Sequence, residues 1–471
     1  TGVLSAQWPP RHDRRMTLAR STVARRIGCG SRTRSYASTS SASSSMLAEL
    51  AAGNLRTGGS SRARSTRSAL PSHSGKVTLS DWSHLEELAG GLRAPMAVRI
   101  KDLILSAEDL TPSKSLRNAQ LLHDELVARR ASMVAHLLRL PERIRDHPRV
   151  EELTEKQYNR LLRMLVIQRP RSFEEVEQFD EELLSGSRCS ASDGETRRAI
   201  GAALSEEAFC PTMLGARRWG DEEADEVSER QTQADVQLDG VFTARIALRF
   251  LTNHYLAAKD PAREGWTGSV QHECSPAQRC EEAARLVEAK CLARFGRAPA
   301  IQVHPDRDRV SFPFVPEHMD FVLHELMFNG SKATLRKHAL SDALPPMRVI
   351  VAAGDADVTI KVADEGGGLP RSKLRRVWSY QGRWGADDRK GLGLPLARLY
   401  AKYFGGSLHV TPVEGYGTDC YATFDARTEA SCSQLLASKA DRDDQRKSGP
   451  GGLGEGLYDA QGRRFCKTPE G

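Results

Sequence analysis

Glu325 and Asn329 lie four residues apart in the stretch from Val315 to His338, VPEHMDFVLHELMFNGSKATLRKH. On a helix that spacing stacks a carboxylate above an amide, within reach of one ligand. A base beside a neutral oxygen donor fits a nucleotide with its magnesium ion. Mg²⁺ keeps most of its ligands as water and phosphate oxygen, so one Asn carbonyl suffices and the Glu stays free to take a proton. Taken alone, the pair also fits an ordinary polar face on a core-packed helix.

Two glycine clusters follow. Asp364-Glu365-Gly366-Gly367-Gly368 ends a run in which Val358, Ile360 and Val362 alternate with Thr359, Lys361 and Ala363. A carboxylate at a strand end can accept a hydrogen bond from an adenine amino group, and glycines let backbone approach a base and sugar closely. A tight turn explains such a cluster equally well. Lys390-Gly391-Leu392-Gly393-Leu394-Pro395 then runs directly into helical sequence, where backbone amides and the helix dipole would hold phosphates. No strand leads into it, so it lacks the context of a dinucleotide fold.

These residues need elements to carry them. Met319, Val322, Leu323, Leu326, Gly330 and Ala333 form an apolar stripe at helical spacing, and His318, Glu325, Asn329, Lys332 and Arg336 fall opposite. Short strands are predicted in AIQVH, VSFPF, MRVIVAA and DVTIKVAD. A helix is predicted in LPLARLYAKYFGG, and SLHVTPV and TDCYATF pair as a hairpin around Glu414 to Gly417. Helices and strands mix without a strict βαβ alternation, which predicts an α/β sandwich with a largely antiparallel sheet.

Upstream the pattern is helical from Asp81 to about Leu184. It includes Ser115 to Leu140, stopped by Pro141, and Glu151 to Gln168. Between about Ser185 and Gln233 the chain turns acidic, Ser- and Gly-rich and weakly periodic, as expected for a disordered insertion. Helical periodicity returns over Val241 to Ala258 and Ser275 to Gly296, and together these segments predict an antiparallel helical bundle.

The net charge of +7 over 471 residues has a local origin. Residues 14 to 76 hold twelve basic side chains against the single acid Glu49, so the rest of the chain is slightly acidic and matches nucleic acid poorly. That Arg- and Ser-rich stretch reads as a mitochondrial transit peptide, with Met16 as its start and Arg34-Ser35-Tyr36-Ala37 as its cleavage pattern. The chain contains no run of 18 apolar residues, so no transmembrane span is expected. Nine cysteines without a CxxC pair fit reduced thiols better than disulfides or a zinc site.

The order E-x-x-x-N, D-x-G-x-G after a strand, G-x-G-L-P opening a helix, then Gly417-Thr418-Asp419 resembles the ATP-binding domain shared by gyrase, Hsp90, MutL and the histidine kinases (GHKL, Bergerat type). Further matches in RAPMAVRIKDL, ARIALRFLTNHYLA, HELMFNGSKAT, GLPLARLYAKYFGGSL and EGYGTD resemble the mitochondrial kinases of 2-oxoacid dehydrogenases. The span from Arg297 to Leu326 lies nearer the branched-chain than the pyruvate enzymes. The resemblance covers about Asp81 to Phe424.

It implies an α+β protein: a transit peptide and linker over 1–78, a helical four-helix-bundle domain over 79–295 carrying the insertion at about 185–233, an ATP-binding domain over 296–426, and a flexible tail over 427–471. It also implies a serine kinase of the mitochondrial matrix that inhibits an E1 subunit, branched-chain before pyruvate. Such an enzyme docks on the lipoyl domain of the E2 core, forms a homodimer, and uses ATP and Mg²⁺, with K⁺ admitted. Glu325 would be the general base and Asn329 the Mg²⁺ ligand. Lys332, Asp364, Gly366, Gly368, Gly391, Leu392, Gly393, Leu394 and Thr418 would bind ATP, under a lid from Tyr380 to Lys390.

The chain departs from the family pattern at several positions. Phe321 stands one turn before Glu325, where relatives carry His or Tyr able to bond the carboxylate. Arg389 replaces the first glycine of the phosphate loop, the lid is short, and Gly330 and Lys332 replace Ala and Arg. The tail holds no Asp-Trp pair of the kind that stabilises the dimer in some relatives. Competing readings are a histidine kinase with phosphoacceptor His123, an ATP-driven clamp, and a nucleotide-binding pseudokinase of the same complex.

Overall fold

A computed structural model describes residues 73, 75–88, 94–108, 110–189, 193–207, 221–259, 263–305, 310–380 and 391–427. The expected transit peptide, nearly all of the tail, and the lid residues 381–390 with Arg389 and Lys390 lie outside the described residues.

The helical part comprises α1 (Leu79–Leu88), α2 (Ile100–Ala107), α3 (Pro112–Leu138), α4 (Glu142–Arg145), α5 (Pro148–Val166), α6 (Phe173–Cys189), α7 (Asp193–Glu207) and α8 (Asp221–Ala257). Thr111 caps α3 by accepting from the Lys114 amide, and Pro112 fills the first turn, where its missing N–H costs nothing. Helix α3 packs on α5, α6 and α8, and α7 packs on α4 and α5. Leu122, Leu126, Met133 and Leu137 of α3 share a core with Leu238 and Phe242 of α8. Val134 and Leu138 join Trp82, Tyr158 and Leu161 in a second core.

The expected disordered insertion is corrected. Helices occupy 193–207 and 221–257 within and beyond it. The signal lies under the charges: Thr196, Ala199, Ile200, Ala203 and Leu204 recur every three or four residues, and all are buried. Glu195 reaches Lys156 of α5 at 2.9 Å and ties the same helix down from its outer side.

The remainder is a mixed unit: β1 (Trp266–Thr267), β2 (Val270–Cys274), α9 (Pro276–Phe295), β3 (Ile301–His304), β4 (Phe312–Phe314), α10 (Pro316–Lys337), β5 (Met347–Ala353), β6 (Asp357–Asp364), a 3₁₀ turn (Arg371–Trp378), α11 (Gly393–Tyr403), β7 (Ser407–Val413) and β8 (Gly417–Asp425). The main sheet runs β3-β5-β6-β8-β7, parallel only between β3 and β5. Residues of β5 alternate buried and exposed along the strand, as a half-covered sheet requires. The hairpin closes with Val413 paired to Gly417, around Glu414 to Tyr416. Strands β1, β2 and β4 form a separate small sheet.

Helix α9 is also reassigned. Its periodicity predicts a helix of the bundle, but it packs on α10, β3 and β5. Its buried side is small, Cys280, Ala283, Ala284 and Val287, which allows close approach to α10. Periodicity reveals a buried stripe and not the layer that covers it. Among the described residues no helix is long and apolar enough to cross a membrane.

If α7 is a packed helix, Ile200→Ala should cost about 2–5 kcal/mol and lower the midpoint of thermal unfolding. Amides of 196–204 should exchange slowly with solvent. An unchanged midpoint with fast exchange would contradict the packing described.

Candidate active site

Helix α10 is the spine of the site. Met319, Val322, Leu323 and Leu326 are at most 2% exposed, on the predicted stripe. His318 does not join the exposed polar face as the sequence predicts. The first turn of α10 is enclosed by α8 and α11, and the imidazole sits among Phe250, Tyr400, Tyr403 and Phe404. Burial drives its pKa down to about 3, so it is neutral there.

At the end of β6, Asp364 is buried, and its Oδ1 accepts from the amides of Gly366 (2.7 Å) and Thr418 (3.3 Å). Thr418 is its register partner on β8. Among the described residues no donor is paired with Oδ2. Burial pushes the carboxyl up to about 6, against the two amides, which favour the anion. A Cβ on Gly366 would overlap Ala333 of α10, and one on Gly368, at φ +66°, would overlap the Val413 carbonyl. The D-x-G-x-G run is therefore glycine where backbone meets backbone or helix. Gly330 presents its bare Cα side to Asp364 and Met347.

The second glycine loop meets α10 one to two turns earlier. A Cβ on Gly393 would lie 2.5 Å from Glu325 Oε2 and 3.5 Å from Asn329 Nδ2. Gly391 has φ +32°, and Leu392 is 1% exposed. Helix α11 starts with no side-chain cap, so its first amides are left for another partner. One helix thus faces Asp364 through Gly330, Gly366 through Ala333, and the start of α11 through Glu325 and Asn329. Lys332 lies over the Phe328 ring at 5.3 Å. These elements lie far apart along the chain, and the fold brings them to a single helix.

One residue was missed. Arg197 of α7 donates from Nη2 to Glu325 Oε1 at 3.2 Å, across 128 residues of sequence. Its guanidinium lies 5.4 Å over the Phe321 ring, which stacks on Tyr400 of α11 at 4.1 Å. Phe321, unable to hydrogen-bond Glu325 itself, supports the cation that does. No local signal marks Arg197, because its segment reads as polar filler. Tyr380, at the foot of the expected lid, is tied to α8: its amide donates to Asp235 at 3.1 Å and its hydroxyl to Asp239 at 2.6 Å. A separate cavity of about 290 Å³ is lined by Met96, Leu103, Leu110, Leu122, Leu251 and Tyr255, among others, and includes none of the site residues above.

Residues 97–273 match the family described as mitochondrial branched-chain alpha-ketoacid dehydrogenase kinase. Residues 315–428 match the histidine kinase-, DNA gyrase B- and HSP90-like ATPase family. Over these two segments the chain is similar to the mitochondrial 2-oxoacid dehydrogenase kinases and to the GHKL ATPases. It is 36% identical over 203 residues to a mitochondrial [pyruvate dehydrogenase (acetyl-transferring)] kinase of Arabidopsis thaliana, covering 39% of this chain and 55% of that protein. It is 37% identical over 206 residues to the Schizosaccharomyces pombe kinase of the same name, covering 39% and 48%. Against isozyme 1 of Rattus norvegicus it is 28% identical over 226 residues, covering 43% and 52%. The chain spans about half the length of the relatives it matches. Asn329, Asp364 and both glycine loops fall inside the ATPase match, whereas Arg197 falls in the other.

The raised pKa of Asp364 carries a pH signature. The native state holds a proton on it between about pH 4 and 6 that the unfolded chain has released, so its contribution to stability is full below about pH 4 and is lost as pH rises through 6. Asp364→Asn removes that loss. The stability of the variant relative to the parent should therefore rise from pH 4 to pH 7 by on the order of 3 kcal/mol, read from denaturant midpoints. A constant difference would contradict the buried, partly protonated carboxyl.

Proposed function

We propose that the chain is a mitochondrial, ATP-dependent protein-serine kinase of a 2-oxoacid dehydrogenase complex, acting in the matrix on the E1 subunit and inhibiting it. The observation that carries this is the convergence on α10: Glu325 faces the start of α11 while Gly330 and Ala333 face the Asp364 turn. The donor set fits a nucleotide. Asp364 has one oxygen held by two amides and the other available for an amino group, and Glu325 and Asn329 stand beside the glycine that opens α11. Asp364 and Thr418 would hold the adenine. Gly366 and Gly368 would admit the base and sugar, and Gly391, Leu392, Gly393 and Leu394 the phosphates. Lys332 adds positive charge on the same helix.

Asn329 would hold Mg²⁺, which supplies charge neutralisation on the transferring phosphoryl group. Glu325 would take the proton of a substrate serine hydroxyl as its oxygen bonds the γ-phosphorus; the bond from γ-phosphorus to the bridging oxygen breaks, and its electron pair leaves with ADP. K⁺ and the homodimer rest on the family resemblance alone.

The relatives are named for pyruvate dehydrogenase, whereas the family matching 97–273 is described for the branched-chain complex. The full-length relatives weigh more, so pyruvate E1 is favoured over the branched-chain subunit that the Arg297 to Leu326 stretch pointed to. The helical part over 79–295, less α9, would supply the four-helix bundle that docks on the complex. Its apolar cavity is a candidate receptor for the lipoyl arm of E2. The histidine-kinase alternative loses support from His123, whose Nε2 lies 2.8 Å from the Ile167 carbonyl, on the inner side of α3. Phe321 no longer favours a pseudokinase, because Glu325 has its polar partner in Arg197.

Glu325→Gln should keep nucleotide affinity and lose about 10²- to 10⁴-fold in transfer of labelled phosphate to purified pyruvate E1. Turnover equal to the parent would refute the base. Asn329→Ala should weaken nucleotide binding in magnesium and leave it little changed in EDTA, measured by titration calorimetry. Equal losses in both media would refute metal ligation. Acid-stable phosphate on serine supports the kinase reading, and acid-labile phosphate on the chain itself would favour the histidine kinase.

A further inference from the structure

We infer that Arg197 is a positioning residue for Glu325, so that α7 belongs to the transfer machinery; this rests on reading Glu325 as the base. The ion pair is partly withdrawn from water, with 30% and 16% of the two side chains exposed. One oxygen of Glu325 takes the Arg197 hydrogen bond, and the other faces the bare Cα of Gly393 at the start of α11. A guanidinium is a donor only and stays charged. It can fix the carboxylate and cannot take the proton, which leaves Oε2 as the accepting atom.

The guanidinium is held over an aromatic ring on an anchored helix. Phe321 lies beneath it, and Tyr400 backs that ring. Buried Thr196 and Ile200 hold the helix on either side of Arg197 in sequence. Gly201, one turn beyond Arg197 and on the same face of α7, lies against Leu392 of the glycine loop, with a built Cβ 3.7 Å from it. A single face of α7 therefore touches both the base and the loop that precedes α11. A carboxylate in an open helix samples several rotamers, and an error of an ångström in its placement is costly in rate.

The test uses the full chain with MgATP and E1, comparing the parent, Arg197→Met and Arg197→Lys. Arg197→Met should lower kcat by about 10- to 100-fold, with KM for E1 and nucleotide Kd within about twofold of the parent. Arg197→Lys should recover part of the loss, because it keeps the charge and loses the planar fork. In a Glu325→Gln background Arg197→Met should cost nothing further. An unchanged kcat would overturn the inference. So would a raised kcat, which would make the pair a restraint on the base, or a parallel loss of nucleotide binding and thermal stability, which would make Arg197 merely structural. A parent that binds nucleotide but transfers nothing would instead fail the kinase reading, and this inference with it.

Discussion

The packing of α10 across the sheet, with two small residues turned toward the end of β6, is the constraint on which the rest depends. Gly330 and Ala333 leave room for Asp364 and Gly366 to lie against the helix. A larger side chain at either position would lift the β6 turn away from α10. Because Glu325 and Asn329 occupy the turns just before, the same contact fixes where they stand relative to Asp364. The apolar side, Met319, Val322, Leu323 and Leu326, then has to be buried fully, and the fold meets this by packing α9 and α11 against it.

Two polar contacts tie the helical part to this centre. Arg197 of α7 meets Glu325, and Asp235 and Asp239 of α8 hold Tyr380. Burial raises Asp235 to about 7 while Ser379 and the Tyr380 amide pull it the other way. Both contacts cross between the helical part and the α/β part, so a change in how α7 or α8 sits reaches Glu325 and Tyr380 directly. This gives a physical route by which the position of the helical part can matter to the other part.

Much of the site was legible because its signals are local. The helical stripe of α10, the alternation in β6 and the turn at Glu414 to Tyr416 depend on neighbours within a few residues, and each lies where its pattern says. Composition misled over 193–207 and 221–233, whereas the helix predicted over Val241 to Ala258 is present. Acids, Ser and Gly dominate the average there, while in α7 a narrow stripe of Ala, Ile and Leu decides the packing. His318 and α9 failed for another reason: periodicity tells which side of a helix is buried only when one side faces water, and it never names the covering layer. Arg197 was invisible because its partner lies 128 residues away, and an arginine on a polar-looking segment reads as a solvated charge.

The central claim is that residues from β6, α10 and the start of α11 form one cradle for ATP and magnesium. Its most direct test is a crystal structure of the chain with a non-hydrolysable ATP analogue and Mg²⁺. The account predicts the adenine amino group on Asp364, the metal on Asn329, phosphates along the amides of Gly391 to Leu394, and the Glu325 carboxylate facing the γ-phosphate. A nucleotide seated elsewhere, or one that leaves Asp364 and Glu325 on opposite sides of the fold from it, would contradict the account.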